Sequence, residues 1–178
     1  MSILDSLLQF DSAANLAQPI GTYVSANVLD FGLVGIPTSA NGGGARDMGI
    51  GDDPALKLQV QAIVGFVSAG GGTLQISLQG APDNGSGAPG AFTTWWQSPV
   101  YTAAQMPIGE RLLDMDFPRP PAGVAVPRYV RLSYGIATAT ITAGQVEAMI
   151  VLDREDQMYN GTNNATRGGY PAGINVAN

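Results

Sequence analysis

From residue 56 to residue 79 the chain alternates. Leu56, Leu58, Val60, Ala62, Val64 and Phe66 occupy every second position, with Lys57, Gln59, Gln61 and Ile63 among the residues between them. After Gly70-Gly71-Gly72 the pattern returns, Leu74, Ile76 and Leu78 against Thr73, Gln75, Ser77 and Gln79. A period of two marks a half-buried strand, and two such runs joined by a glycine turn predict a β-hairpin. More strands are expected over 92–102, which carries Trp95 and Trp96, and over 110–117, where Leu113, Met115 and Phe117 oppose Asp114 and Asp116. Two further strands turn Val130, Leu132, Tyr134 and Ile136 (128–137) and Val146, Ala148, Ile150 and Leu152 (145–153) inward. Residues 22–31, with Val24, Val28 and Leu29 among turn formers, read as a weaker strand. No stretch sustains a helical period over useful length. Roughly seven or eight strands at this spacing predict an all-β chain, a β-sandwich of jelly-roll or immunoglobulin-like topology.

The flanks break the pattern. Residues 1–20 read as an N-terminal arm whose apolar positions, Ile3, Leu4, Leu7, Leu8 and Phe10, suit one or two helical turns. Such a segment is too short to be stable alone in water and must dock on something. Residues 21–155 form the sandwich body, and residues 156–178, rich in Gly and Asn, form an irregular C-terminal extension. Residues 32–54 and 80–91 are long glycine-rich loops of the kind that is functional or laid against a neighbour.

Composition sharpens this picture mainly by exclusion. Gly 24 and Pro 12 among 178 residues suit a turn-rich β protein, and the charged share of 12% is roughly half the usual one. There is no Cys and no His. Disulfides, Cys/His zinc sites, cysteine nucleophiles and Ser-His-Asp triads are therefore excluded. Net charge is −6, Lys57 is the single lysine, and the arginines are scattered. With no basic run, no nucleic-acid partner is expected. No segment approaches the ~18 apolar residues of a membrane helix, so no membrane partner is expected either. The N-terminus lacks the basic stretch of a signal peptide, which points to a soluble chain made in the cytoplasm.

Four groups of residues invite a chemical reading. Asp114 and Asp116, two apart on a strand and so roughly 7 Å from each other, have a spacing open to glycosidase carboxylates; a solvated strand face is the favoured account of them. Asp47, Asp52 and Asp53 beside Gly49 and Gly51 offer oxygen ligands but lack the EF-hand spacing, and they suit turns and caps. Gly42 to Gly44 and Gly70 to Gly72 lack the Gly-Lys-Ser/Thr of a phosphate loop. Trp95 and Trp96 are adjacent on a strand, so one is expected in the core and the other exposed, as an interface anchor or a sugar platform. Three function classes follow: a structural assembly protein, a carbohydrate-binding sandwich, and a hydrolase without His or Cys. The composition favours the first, with no enzymatic activity and no cofactor.

A resemblance supports the same class. The run Ile3-Leu4-Asp5 to Leu8-Gln9-Phe10-Asp11, then Asn27-Val28-Leu29-Asp30-Phe31-Gly32 and Arg46-Asp47-Met48-Gly49-Ile50-Gly51, followed by Arg128-Tyr129-Val130-Arg131-Leu132-Ser133-Tyr134 and by Ile141-Thr142-Ala143-Gly144 leading to Val151-Leu152-Asp153, resembles the capsid cement (decoration) proteins of short-tailed bacteriophages, of the kind found on a Bordetella phage. The resemblance implies a jelly roll on the outer surface of an HK97-type capsid in the virion, bridging neighbouring major capsid proteins. It also implies self-association, as a dimer or else a trimer. Ile3, Leu4, Leu7, Leu8, Phe10, Trp95, Trp96, Tyr159 and Tyr170 are the candidate capsid or subunit contacts. On this reading, removal of residues 2–12 is expected to leave a folded sandwich that no longer decorates shells.

Overall fold

The structure, a computed structural model, describes residues 8–31, 56–119 and 127–152. Within them lie nine strands: β1 (Gln9–Asn15), β2 (Gly21–Val24), β3 (Leu29–Asp30), β4 (Leu56–Val67), β5 (Thr73–Ala81), β6 (Thr93–Thr102), β7 (Arg111–Asp116), β8 (Tyr129–Ala137) and β9 (Ala143–Leu152). A 3-10 turn, Ala103–Gln105, precedes β7. Two antiparallel sheets pack face to face as a β-sandwich. One has the order β1-β9-β4-β7; the other has β2-β8-β5-β6, with β3 also paired to β8. The pairings nest: β5 with β6, β4 with β7, β2 and β3 with β8, β1 with β9. The chain is thus a long ribbon folded at the β5–β6 turn and rolled until β9 meets β4 and β8 meets β5.

The inward rows are the apolar alternates of the sequence. Leu58, Val60 and Ala62 of β4 and Val146, Ala148 and Ile150 of β9 form one wall. Leu74, Ile76 and Leu78 of β5, with Val130, Leu132, Tyr134 and Ile136 of β8, form the other. A fully buried side chain of this size contributes about 1.5–3 kcal/mol, so these rows supply the main drive to fold.

Four expectations need correction. β4 and β5 are not a hairpin: the turn at Ser68–Gly72 carries the chain across the sandwich, so their apolar rows meet face to face in different sheets. Alternation and a glycine turn are common to both geometries, which is why the pattern does not separate them. Val64 is exposed rather than inward, because β-bulges between Ala62 and Val67 break the register with β9. Leu112 is buried beside Leu113, because a register shift opposite Val60 and Gln61 lets both adjacent residues turn inward. Finally, the expected arm ends early. Gln9–Asn15 is a strand of the first sheet and Leu16 lies in the core, while residues 1–7 lie outside the described residues.

The rolled ribbon leaves two lateral sides. On one, Tyr101 of β6 donates its hydroxyl to the Leu112 carbonyl of β7 at 2.6 Å and ties the sheets together; burial raises its pKa. On the other, β1 and β2 are both edge strands.

Candidate functional site

Of the residues singled out from the sequence, Ile3, Leu4, Leu7, Tyr159 and Tyr170 lie outside the described residues, as do Asp47, Asp52 and Asp53. Leu8 is half-buried and packs on the core. Phe10 is 0% exposed, a core residue of the protein itself rather than a side chain offered outward. Neither tryptophan is fully exposed. Both are half-buried and packed on the core, because β6 shifts register against β5 where Trp96 faces Leu78 and Thr94 faces Gln79, leaving Trp95 as the extra residue. The bulge cancels the strict opposition of neighbours that a regular strand imposes. Trp95 meets Phe117 edge-on at 6.4 Å between ring centroids, and Phe117 meets Phe31 at 6.0 Å. The Trp95 indole N–H is buried without a hydrogen-bond partner.

Asp114 and Asp116 both have basic neighbours: Arg111 donates to Asp114 at 3.3 Å and Lys57 pairs with Asp116. Two carboxylates on an outer strand face, each beside a cation, match the solvated-face reading. A denser charged cluster stands at the end of the sandwich where β3, β5 and β8 meet. Arg128 makes a bidentate pair with Asp30, at 2.8 and 2.9 Å, and its other guanidinium nitrogen donates to Asp83. The guanidinium also lies 4.9 Å from the Tyr129 ring centroid. Hydrogen bonds donated to Asp30 hold Arg128 more firmly protonated than usual, and hydrogen bonds led by the Gly85 N–H hold Asp83 below the ordinary carboxylate range.

A buried polar pair escaped the sequence reading. Asp11, 3% exposed, accepts the Tyr134 hydroxyl at 2.6 Å and the Ala26 N–H at 2.8 Å. Burial raises the pKa of Asp11, and burial with the nearby carboxylate raises that of Tyr134. Period-two reasoning sends Asp11 outward because Phe10 goes inward. Between Gln9 and Asp11, however, β1 advances two residues while β9 advances one, so both face the core. Beside this pair, between the β1 and β2 edges, runs a groove of about 340 Å³ lined by Ser12, Asn15, Tyr23 and Val24 among others.

The two outer faces differ. On the first sheet, Lys57, Arg111, Asp114, Asp116 and Glu147 share the surface with glutamines. On the second, Gln75 pairs Gly135, Ser77 pairs Ser133 and Gln79 pairs Arg131. Arg131 donates to Gln79 at 2.9 Å and Gln79 to Thr94 at 3.1 Å, while the Arg131 guanidinium sits 3.8 Å from the Phe92 ring centroid. On this second face the amides of Gln75 and Gln79 flank Arg131, Ser77 and Ser133 are buried, and Asp30 of β3 adds an exposed carboxylate.

A family model described as Bbp16 matches residues 16–150, most of the chain and all of it from β2 to near the end of β9. The chain belongs to the Bbp16 family. The family's name points to a Bordetella phage protein, so a phage association stands on the same match. The Ile3-to-Asp11 motif and the residues beyond 150 lie outside the matched part of this Bbp16-family chain. No curated protein matches it. Among the described residues, no helix is long and apolar enough to cross a membrane, and no cluster of His, Cys, Asp or Glu is arranged to hold a metal ion.

Proposed function

We propose that this chain is a capsid decoration protein, a non-enzymatic structural component that binds the outer surface of an HK97-type phage shell and bridges neighbouring major capsid proteins. Membership of a phage family over residues 16–150 is the observation that carries this reading. The nested pairing supports the finer description as a jelly roll: with β2 and β3 taken as one broken strand, each strand of the ribbon's first half pairs with its counterpart in the second.

A shell stabiliser needs no chemistry. It must resist separation of its neighbours, which it does by making several contacts at once, each later one forming at high effective concentration. The outer face of β5 and β8, whose one ion is Arg131, suits this work, since uncharged amides are less costly to desolvate than ions. Leu8 and Phe10 serve the protein's own core, so the remaining terminal anchors are Ile3, Leu4, Leu7, Tyr159 and Tyr170. Self-association, as a dimer in preference to a trimer, completes the proposal. The carbohydrate-binding alternative has less support, because Trp95 and Trp96 are half-buried instead of forming an open platform.

The deciding experiment adds the purified full chain to shells assembled without it and images them by electron cryo-microscopy. Regular density outside the shell at capsomer junctions is expected. Empty junctions at saturating protein would overturn the proposal, and glycan-array binding with Trp fluorescence quenching would then favour the alternative.

A further inference from the structure

The loop from β5 to β6 carries an Asn-Gly pair, Asn84-Gly85, and both residues are exposed. Asparagine before glycine is chemically unstable. The glycine backbone nitrogen, unhindered by a side chain on its own residue, attacks Cγ of the asparagine amide. A C–N bond forms, ammonia leaves carrying the proton that the nitrogen gives up, and water opens the resulting succinimide to aspartate or isoaspartate. At neutral pH the nucleophile is the deprotonated amide, so the fate of that one N–H proton sets the rate.

Here the electrophile is primed. The Ser86 N–H and the Ser86 hydroxyl both donate to Asn84 Oδ1, at 2.9 and 2.7 Å. Donors on a carbonyl oxygen stabilise the oxyanion that nucleophilic attack creates. The nucleophile, by contrast, is held back. The Gly85 N–H donates to Asp83 Oδ1 at 2.6 Å, and the Gly87 N–H reaches the same oxygen at 3.2 Å. The other Asp83 oxygen accepts from Arg128 and, at 3.4 Å, from the Tyr129 hydroxyl. The carboxylate is therefore anchored to β8 and its approach, and the loop closes on itself through Asn84 N–H to the Ala88 carbonyl at 2.9 Å and Gly90 N–H to the Pro82 carbonyl at 2.8 Å.

We propose that Asn84 is a latent deamidation site and that Asp83 guards it. The carboxylate keeps the Gly85 N–H engaged as a donor, and its negative charge stands where an amide anion would have to form. Loss of the guard leaves the Ser86 donors acting unopposed on the Asn84 carbonyl. A structural protein that is not renewed after assembly benefits from such a contact, although the chemistry is independent of that role.

The test uses the full chain as wild type, Asp83→Ala and Asp83→Asn, incubated in mildly alkaline buffer, with peptide mass mapping to follow aspartate and isoaspartate at Asn84. Circular dichroism establishes that each variant is folded. Folded wild type is expected to lose Asn84 at least about tenfold more slowly than the same protein in urea, the factor associated with one charge-assisted hydrogen bond. Asp83→Ala is expected to accelerate the loss by a similar factor. Asp83→Asn keeps an acceptor without the charge and should fall between; if the alanine variant does not fold, this variant decides. The proposal is overturned if folded variants retain the wild-type rate, or if wild type loses Asn84 as fast when folded as when unfolded.

Discussion

At the scale of single residues, the Asp11–Tyr134 pair is where the sandwich spends polar groups in its interior. A buried carboxylate accepts two hydrogen bonds there, one from a side chain of the opposite sheet and one from the Ala26 backbone. Asp11→Ala should destabilise the fold by roughly 1–3 kcal/mol for each donor left unpaired, read as a lower urea midpoint. The pH dependence has a definite sign. Burial raises the Asp11 pKa above its ordinary 3.8, so the native state binds that proton more tightly than the unfolded chain does. Its ionised form therefore costs stability above the raised value, and the cost is relieved as pH falls through that value toward 3.8. Asp83 runs the other way: its stabilisation is complete above 3.8 and is lost as pH falls through its lowered value. Wild type should thus gain stability relative to Asp11→Asn as the medium is taken from about pH 7 toward about pH 4. A difference between their urea midpoints that stays constant across that range would show that folding does not raise the Asp11 pKa. Neither residue was legible as a site. The identity of Asp11 is in the sequence, but its inward direction depends on a bulge, which is a property of the pairing with β9.

At the scale of elements, β-bulges separate what periodicity showed from what it missed. Inward rows in regular stretches of β5, β8 and β9 match the alternation through Ile150, with the side chain of Leu152 outside the described ones, whereas Val64, Leu112, Asp11 and Trp95 all sit at register shifts. Gly80 marks a second kind of constraint. A Cβ there would stand 2.6 Å from the Trp95 ring and closer still to Pro127, so only glycine lets β5 pass beneath both rings. Gly80→Ala is expected to cost about 1–3 kcal/mol as an overpacked site and to shift Trp fluorescence; an unchanged spectrum and midpoint would mean that the rings move aside freely. The N-terminal strand carries a third prediction, which reverses the expectation for removal of residues 2–12. That deletion takes Phe10 from the core, where its loss alone is worth about 3–5 kcal/mol, together with Asp11, so thermal denaturation should show a severely weakened fold. Deletion of residues 2–7 alone spares Phe10 and Asp11, so its melting temperature should lie well above that of the longer deletion.

At the scale of the whole molecule, that shorter deletion separates folding from decoration. If the terminal residues anchor the protein, the truncated chain should fold normally yet occupy fewer sites on shells, counted by electron cryo-microscopy; full occupancy would remove the N-terminal anchors from the proposal. Topology makes a separate prediction. The first strand pairs with the last, Gln9 with Met149 and Asn15 with Gln145, so the sandwich cannot close until almost the whole described chain is in place. Refolding from urea should accordingly be slow, on the millisecond-to-second scale of all-β sandwiches; completion within microseconds would contradict it. From the sequence by itself came the all-β class, most strand positions, the inward rows and the exclusion of cysteine and histidine chemistry, because these depend on residue type and on a period of two that local backbone geometry enforces. Tertiary structure alone decided that β4 and β5 lie in opposite sheets, that Phe10 and Asp11 both turn inward, that Arg128 gathers Asp30 and Asp83, and that Asp83 holds the Gly85 N–H. Each of these depends on which distant strand is the hydrogen-bonding neighbour and in what register, and alternation along one strand is the same whichever partner lies beside it.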